Sequence, residues 1–295
     1  MVPLPQSEAA FKPRVLLRSR ALAHGGLTIG IAVLGAVFLA ALLAPLLPLH
    51  DPFQQDLLQR LRPPVWHARG SWDHPLGTDL LGRDYLARLI WGARVSLLIG
   101  ICATAVAGLI GTILGVAAGY FRGRVDMVVS YLVTVRLSMP MVLVILAVVS
   151  LIGASLPVLV AAIGLLNWDR FAVVTRSATL QVRNYDYVTA AQVIGCSAPR
   201  IVLTEILPNI ASQLIVVATL EMAHAILIEA ALSFLGLGVP PPLPSWGMMV
   251  AEGKPQLLFA PWLAGIPGGA LFVLLLAINL IGDGVRDVTA PEGHG

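Results

Sequence analysis

The sequence predicts an all-α membrane protein with about six transmembrane helices, and three observations carry that prediction. Hydrophobic residues make up 57% of the 295 positions and charged residues only 12%, against roughly 25% charged in a soluble domain. Mean hydropathy is +0.85. Aromatic residues are only 6%, so Leu, Val, Ile, Ala and Gly supply the apolar content, as in bilayer-spanning helices rather than the alternating strands of a barrel. The charge balance, 19 Lys plus Arg against 16 Asp plus Glu, is too even and too scattered for a nucleic-acid partner. Cys102 and Cys196 lie in an apolar run and a later polar loop, which offers neither a disulfide framework nor a paired-cysteine metal site.

Residues 1–20 read as a cytoplasmic tail and residues 21–50, which contain no Asp, Glu, Lys or Arg, as the first transmembrane helix, centred on 25–48. At about 1.5 Å per residue this run crosses a ~30 Å hydrocarbon core, and it is too long and lacks the cleavage site for a signal peptide. Residues 51–92 read as an extracytoplasmic loop rich in Pro, Gly and Asp, ending in an amphipathic stretch. Residues 93–285 form a five-helix core with spans at 95–120, 128–152, 157–175, 210–235 and 263–283. Gly153-Ala-Ser-Leu-Pro157 marks the hairpin inside it, and residues 286–295 form a second tail. Lys12, Arg14, Arg18 and Arg20 before the first span place the N-terminus inside, and six crossings return the C-terminus to the same side. The prolines of 236–247 stiffen a second outer loop, with Trp246 and Trp262 expected at the membrane interface.

Catalytic motifs are not found. The nearest approach to a phosphate-binding loop, Gly247 to Gly253-Lys254-Pro255, has the wrong spacing and a proline where the hydroxyl is needed. Neither a His-Glu-x-x-His cluster nor a nucleophile elbow occurs, and His67 and His74 read as solvated loop histidines without ligand spacing. The chain is therefore expected to be non-catalytic, with no metal or cofactor of its own. Gly111, Gly115 and Gly119 recur every four residues and offer a smooth face for close helix packing, or for a sliding contact. Arg136, Asp169, Arg170, Glu221, His224 and Glu229 interrupt apolar runs. Burial at bilayer depth costs roughly 2.5–3.5 kcal/mol for Arg or Asp, so Arg136, Glu221, His224 and Glu229 are candidates for a translocation path or for internal polar contacts, with Asp169 and Arg170 at a helix boundary. A reading of a different class makes the chain a proton-coupled secondary transporter working through Glu221, His224 and Glu229, although six spans without inverted-repeat spacing are few for such a carrier.

The inner loop 176–209 carries Asp186-Tyr-Val-Thr-Ala-Ala-Gln-Val-Ile-Gly195 and then Glu205-Ile-Leu-Pro208, a short helix with a small-residue face, closed by a glycine and punctuated by proline. At these residues the chain resembles the inner-membrane permease subunit of a binding-protein-dependent ABC importer of the dipeptide, oligopeptide and nickel branch. Ala190, Ala191, Gly195, Leu207 and Pro208 stand in register with that family's cytoplasmic signature, while Thr189 and Glu205 depart from it. Three further stretches resemble the branch: His74-Pro-Leu-Gly-Thr-Asp-Leu-Leu-Gly-Arg-Asp84 with Gly92-Ala-Arg-Val-Ser-Leu97, Glu229-Ala-Ala-Leu-Ser-Phe-Leu-Gly-Leu-Gly238, and Asn279-Leu-Ile-Gly-Asp-Gly-Val-Arg-Asp287. The resemblance implies a type I importer permease fold, with Tyr187 onward as the coupling helix that docks on an ATPase subunit. It also implies a homologous permease partner, two ATPase subunits holding ATP and Mg, and an external substrate-binding protein. Tyr131, Thr134 and Val173 stand where such permeases commonly carry charged residues.

Overall fold

The structure, a computed structural model, describes residues 25–289. Its helices, in chain order, are α1 (Gly25–Leu43), α2 (Tyr85–Phe121), α3 (Gly123–Leu137), α4 (Met141–Ile152), α5 (Leu156–Leu166), α6 (Asp169–Val182), α7 (Asp186–Val193), α8 (Ala198–Ile201), α9 (Leu207–Asn209), α10 (Ala211–Phe234), α11 (Trp246–Gly253) and α12 (Trp262–Thr289). Among the described residues there is no strand beyond isolated bridges. Five helical stretches are long and apolar enough to span a membrane, and the bent pair α3–α4 makes a sixth. The expected tail 1–20 lies outside the described residues, as do residues 290–295 of the expected tail 286–295, whereas residues 286–289 continue α12.

The central element is α2. Its 37 residues extend about 55 Å at about 1.5 Å per residue, nearly twice the ~30 Å hydrocarbon core, so it joins the two ends of the molecule. It begins at Tyr85, where the Asp84 side chain accepts the Ala87 N–H. Residues 85–92 are therefore helical, a correction to the loop expected through 92. The glycine stripe faces α6: a Cβ on Gly111 would lie 2.2 Å from Trp168 O, on Gly115 2.0 Å from Thr175 Oγ1, and on Gly119 2.7 Å from Thr179 Cβ. Any side chain there would push the two backbones apart. On the other flank α1 packs on α12, with Gly30 against the Ala277 carbonyl.

Two of the expected spans differ in shape. The span 128–152 is bent by 83° between α3 and α4, because Pro140 cannot donate an amide and forces the residue before it out of the helical region. The span 157–175 breaks at Asn167–Trp168 and continues as α6 to Val182, so residues 176–182 belong to a membrane-length helix and not to the inner loop. Gly153, at φ 101°, and the Ser155 N-cap make the expected turn between α4 and α5. Pro267 lies inside α12 and leaves the Leu263 carbonyl without its helical donor. The buried Tyr85 hydroxyl of α2 donates to that carbonyl instead.

Candidate functional site

At one end, which we call the knob end, the chain from Arg183 to Ile210 folds as short helices. Val188, Ile201, Ile206 and Ile210 bury themselves against Val116 and Tyr120 of α2 and Val182 of α6. Arg122 Nη2 donates to Asn184 Oδ1 at 2.8 Å, which fixes the start of the knob to the end of α2. Tyr187 and Ala190 are exposed, Ala191 is half-buried against the bundle, and Gly195 turns the chain at φ +82° with open space around it. A proline at Gly195 or a bulky residue at Ala191 would thus disturb the knob itself as well as anything docking on it. The partial burial of its ring and the nearby Glu205 carboxylate push the Tyr187 hydroxyl up from its ordinary value. Beyond the turn, Val202–Ile206 is a π-helical segment leading into Leu207, half-buried, and Pro208, exposed; such segments are common at functional sites.

The surface of this knob is apolar where a solvated loop would be polar. Val193 is 83% exposed and Ile194 79%, at the tip between α7 and the Gly195 turn. Apolar side chains presented together on a fixed stub mark an interaction surface.

Between the ends, the charges in the apolar runs form ion pairs between helices, except Glu229, which is held by serine hydroxyls. Arg136, at the end of α3, donates through Nε to the Leu166 carbonyl at 2.6 Å and through Nη2 to Asn167 Oδ1 at 3.0 Å, and lies 3.1 Å from Asp169 Oδ1. It thereby satisfies the carbonyl left open where α5 stops. Arg170 of α6 holds Glu221 of α10 at 3.0 Å, with His224 Nδ1 3.8 Å from the same carboxylate. Asp126 of α3 and Arg176 of α6 pair through two bonds, one of them 2.8 Å. Glu229 is fully buried, and its Oε1 accepts from Ser233 Oγ and Ser245 Oγ, each at 2.7 Å. Ser245 also caps α11 through the Met248 N–H, so Glu229 ties α10 to the start of α11. Tyr131 is exposed and Thr134 bonds its own helix at Ser130 O. Beside Arg170 and Glu221, an apolar groove of about 480 Å³ runs between α2, α6 and α10, lined by Thr104, Thr112, Phe171, Leu214, Thr219 and Met222.

The opposite, loop end holds a charge network that the sequence reading missed. Arg88, with none of its surface exposed, meets Asp79 and, at 2.7 Å, Glu252; Arg83 meets Asp79 at 2.6 Å and Glu252 at 3.5 Å. Asp79 also accepts the Leu81 and Arg83 amides at 2.8 and 2.9 Å. Gly77 and Gly82, at φ 79° and 74°, shape the loop, and a Cβ on Gly82 would lie 1.7 Å from the Asp56 carbonyl. Two expectations are corrected here. His74 is buried and bonded to Asp84 at 2.7 Å, not solvated, and Trp246 is buried with its indole on the Leu89 carbonyl at 2.7 Å, not at the membrane interface.

A chain of apolar helices crossing the bilayer, with its charges paired between helices and an apolar knob at one end, is a polytopic membrane protein built around a helical core. The family described as "Binding-protein-dependent transport system inner membrane component" matches residues 111–292, and the chain belongs to it. It is 40% identical to the di/tripeptide transport system permease protein DppC of Pseudomonas aeruginosa over 89% of this chain and 87% of that one. It is 38% identical to the dipeptide permease DppC of Haemophilus influenzae over 90% of each chain, and 34% identical to the oligopeptide permease OppC of Bacillus subtilis over 90% of this chain and 85% of that one. The permease chain of the MetNI methionine ABC transporter shares the fold, with a TM-score of 0.58 at 19% identity, over 69% of this chain and 97% of that one. The fold is thus that of a type I importer permease, in a multi-pass inner-membrane component of a transport system. The reading as a proton-coupled secondary transporter finds no support.

Proposed function

We propose that this chain is the permease subunit of an ATP-driven importer of short peptides, paired with a homologous permease and served by an external binding protein. ATP and Mg would be held by two ATPase subunits, and this chain would supply no catalytic group. The termini and the knob face the cytoplasm in this reading, and the loop end faces the binding protein. The observation that carries it is the knob: Val188 anchors α7 to α2 and α6 while Tyr187, Val193 and Ile194 stay exposed, so a push on the tip is transmitted to the helices that form the core. Tyr187, Ala190, Ala191 and Gly195 belong to the docking helix, and Leu207 and Pro208 to the joint behind it. The relatives named as peptide permeases support the substrate class.

Transport then follows from differential binding. ATPase subunits that close on ATP bind one arrangement of the two permeases better than the other, and that difference shifts the populations of inward and outward states. The groove between α2, α6 and α10 is the candidate path face toward the partner permease. Arg170–Glu221 lies beside it, and Arg136 and Glu229 are internal contacts that keep the core in register. The test is purification of the tagged protein expressed with its neighbouring transport genes, followed by mass spectrometry, an ATPase assay and uptake of labelled dipeptide in competition with nickel and glutathione. Recovery of a second permease and an ATPase, with dipeptide uptake dependent on ATP, is expected. A protein that purifies alone without ATPase activity, or a system that takes up nickel or glutathione but no peptide, overturns the reading.

A further inference from the structure

At the loop end, two histidines and two carboxylates meet in an arrangement that the permease reading does not use. His50 follows α1 and its short 3-10 extension; His74 and Asp73 lie in the loop before α2, and Asp84 caps α2. Asp84 Oδ1 is committed to the Ala87 N–H at 2.7 Å, which leaves Oδ2 facing both rings, 2.7 Å from His74 Nδ1 and 3.6 Å from His50 Nδ1. The far edge of each ring faces Asp73: His50 Nε2 lies 3.7 Å from Oδ1 and His74 Nε2 3.7 Å from Oδ2. The ring centroids are 4.8 Å apart. All four imidazole nitrogens therefore look at a carboxylate oxygen.

From this geometry we infer a binding site for a late first-row divalent cation, of which zinc is the probe, held by His50, His74 and Asp84. The three ligand atoms lie within 4.8 Å of one another, and neighbouring ligands of a tetrahedral zinc, with bonds of about 2.0–2.2 Å, stand about 3.4 Å apart. The His50–Asp84 edge, at 3.6 Å, is close to that spacing; the His74–Asp84 edge must open from 2.7 Å by several tenths of an ångström, and ligand atoms that stand up to 4.8 Å apart must draw together around the ion. Imidazole suits such ions and a carboxylate completes the set. Asp73, 3.7 Å from the second nitrogen of each ring and so beyond hydrogen-bond distance, would close on one of them to act as the outer carboxylate that orients a ligating histidine. Two carboxylates balance the charge of the cation, and His50, 51% exposed at its side chain, leaves the fourth position open to water. The cation ties the chain leaving the first span to the loop entering the second, which makes it a staple across the loop end.

The test uses the full-length protein purified in detergent through a tag without histidine, stripped with chelator and titrated with zinc while binding and thermal unfolding are followed. One zinc per chain is expected, with a rise in melting temperature. His50→Ala, at a half-exposed position that spares the fold, should weaken binding by more than 100-fold and abolish the rise. Asp73→Asn, on an exposed side chain, should weaken binding about 10–100-fold, and His67→Ala, on the same loop but away from the cluster, should leave it unchanged. X-ray absorption of the zinc-loaded protein should show two imidazole ligands. Binding only at millimolar zinc, or stoichiometry and affinity unaltered in both His50→Ala and Asp73→Asn, overturns the site. A melting temperature that responds to pH through His50 but not to zinc also overturns it, and makes the cluster a protonation switch instead.

Discussion

The two ends of the molecule solve opposite problems. At the loop end, charged side chains are buried: Arg88 has no exposed surface, and Asp79, Arg83 and Asp84 are nearly as enclosed. At the knob end, apolar side chains are exposed, Val193 and Ile194 most of all. A buried charge is tolerated only where its partners lie in the same structure, so the charge network of the loop end closes within one chain even though Leu58, Trp72 and Leu258 stay exposed around it. An exposed apolar tip on a rigid stub is complete only when another chain covers it. Helix α2 joins the two, with Tyr85 and Arg88 in the first and Val116 and Tyr120 in the second. The difference teaches where to look for self-sufficiency and where to look for a partner.

The largest effect should come from breaking the closed end. Asp79→Ala removes the acceptor shared by Arg83 and Arg88 and leaves Arg88 buried with Glu252 as its remaining anion. Removing one partner of a buried pair costs about 3–5 kcal/mol, so the variant should melt far below wild type in detergent and be depleted from the membrane fraction. Replacing Arg88 as well, in Asp79→Leu with Arg88→Met, should restore part of the loss, because well-packed apolar residues can substitute for a buried ion pair, while Arg83 and the Leu81 and Arg83 amides still lack their Asp79 acceptor. A melting temperature for Asp79→Ala equal to wild type would show that the loop end is not held by these charges.

A smaller effect is expected along the connecting seam. Gly115→Ala places a Cβ 2.0 Å from Thr175 Oγ1 and 2.4 Å from the Ala172 carbonyl, where backbone must move. Overpacking of this kind costs about 1–3 kcal/mol. Gly35→Ala, with no atom near its new Cβ, is the control and should be neutral or slightly stabilising in its helix. If both variants melt alike, α2 and α6 are not in the close contact through which the ends communicate.

The contrast between the ends also explains what could be read in the sequence. Spans were legible because a helix crossing lipid needs a predominantly apolar run: Gly25–Leu43 coincides with an uncharged one, and Ala211–Phe234 and α12 with runs that only a few ionisable residues, Glu221 and Glu229 among them, interrupt. The bend between α3 and α4 was hidden because the apolar run continues on both sides of Arg136, and only Pro140 marked the break. At the knob, Ala190, Ala191 and Gly195 could be singled out because short-range spacing and the family likeness both point to them. The loop-end network was missed because Arg88 and Glu252 are 164 positions apart, and no local period connects them. His74 was misread for the same reason: a polar loop looks solvated until Asp84 and His50 are folded onto it.

The smallest effect on the chain itself should accompany a large one on assembly. Val193→Ser with Ile194→Ser alters two side chains that touch little of their own chain, so the melting temperature of the isolated permease should stay within the range of ordinary surface substitutions, about 0.5 kcal/mol. In the assembled importer the same side chains would be buried, at roughly 25 cal/mol per Å² of apolar area, and their loss should lower the recovery of the proposed ATPase in affinity purification and the ATPase activity that co-purifies with the permease. Val188→Ser provides the opposite pattern, because Val188 is fully buried in the cluster that holds the knob to α2: it should destabilise the permease as well as uncouple it. Should Val193→Ser/Ile194→Ser recover the ATPase at wild-type levels, the exposed tip is not the docking surface, and the partner of the knob must meet it on another face.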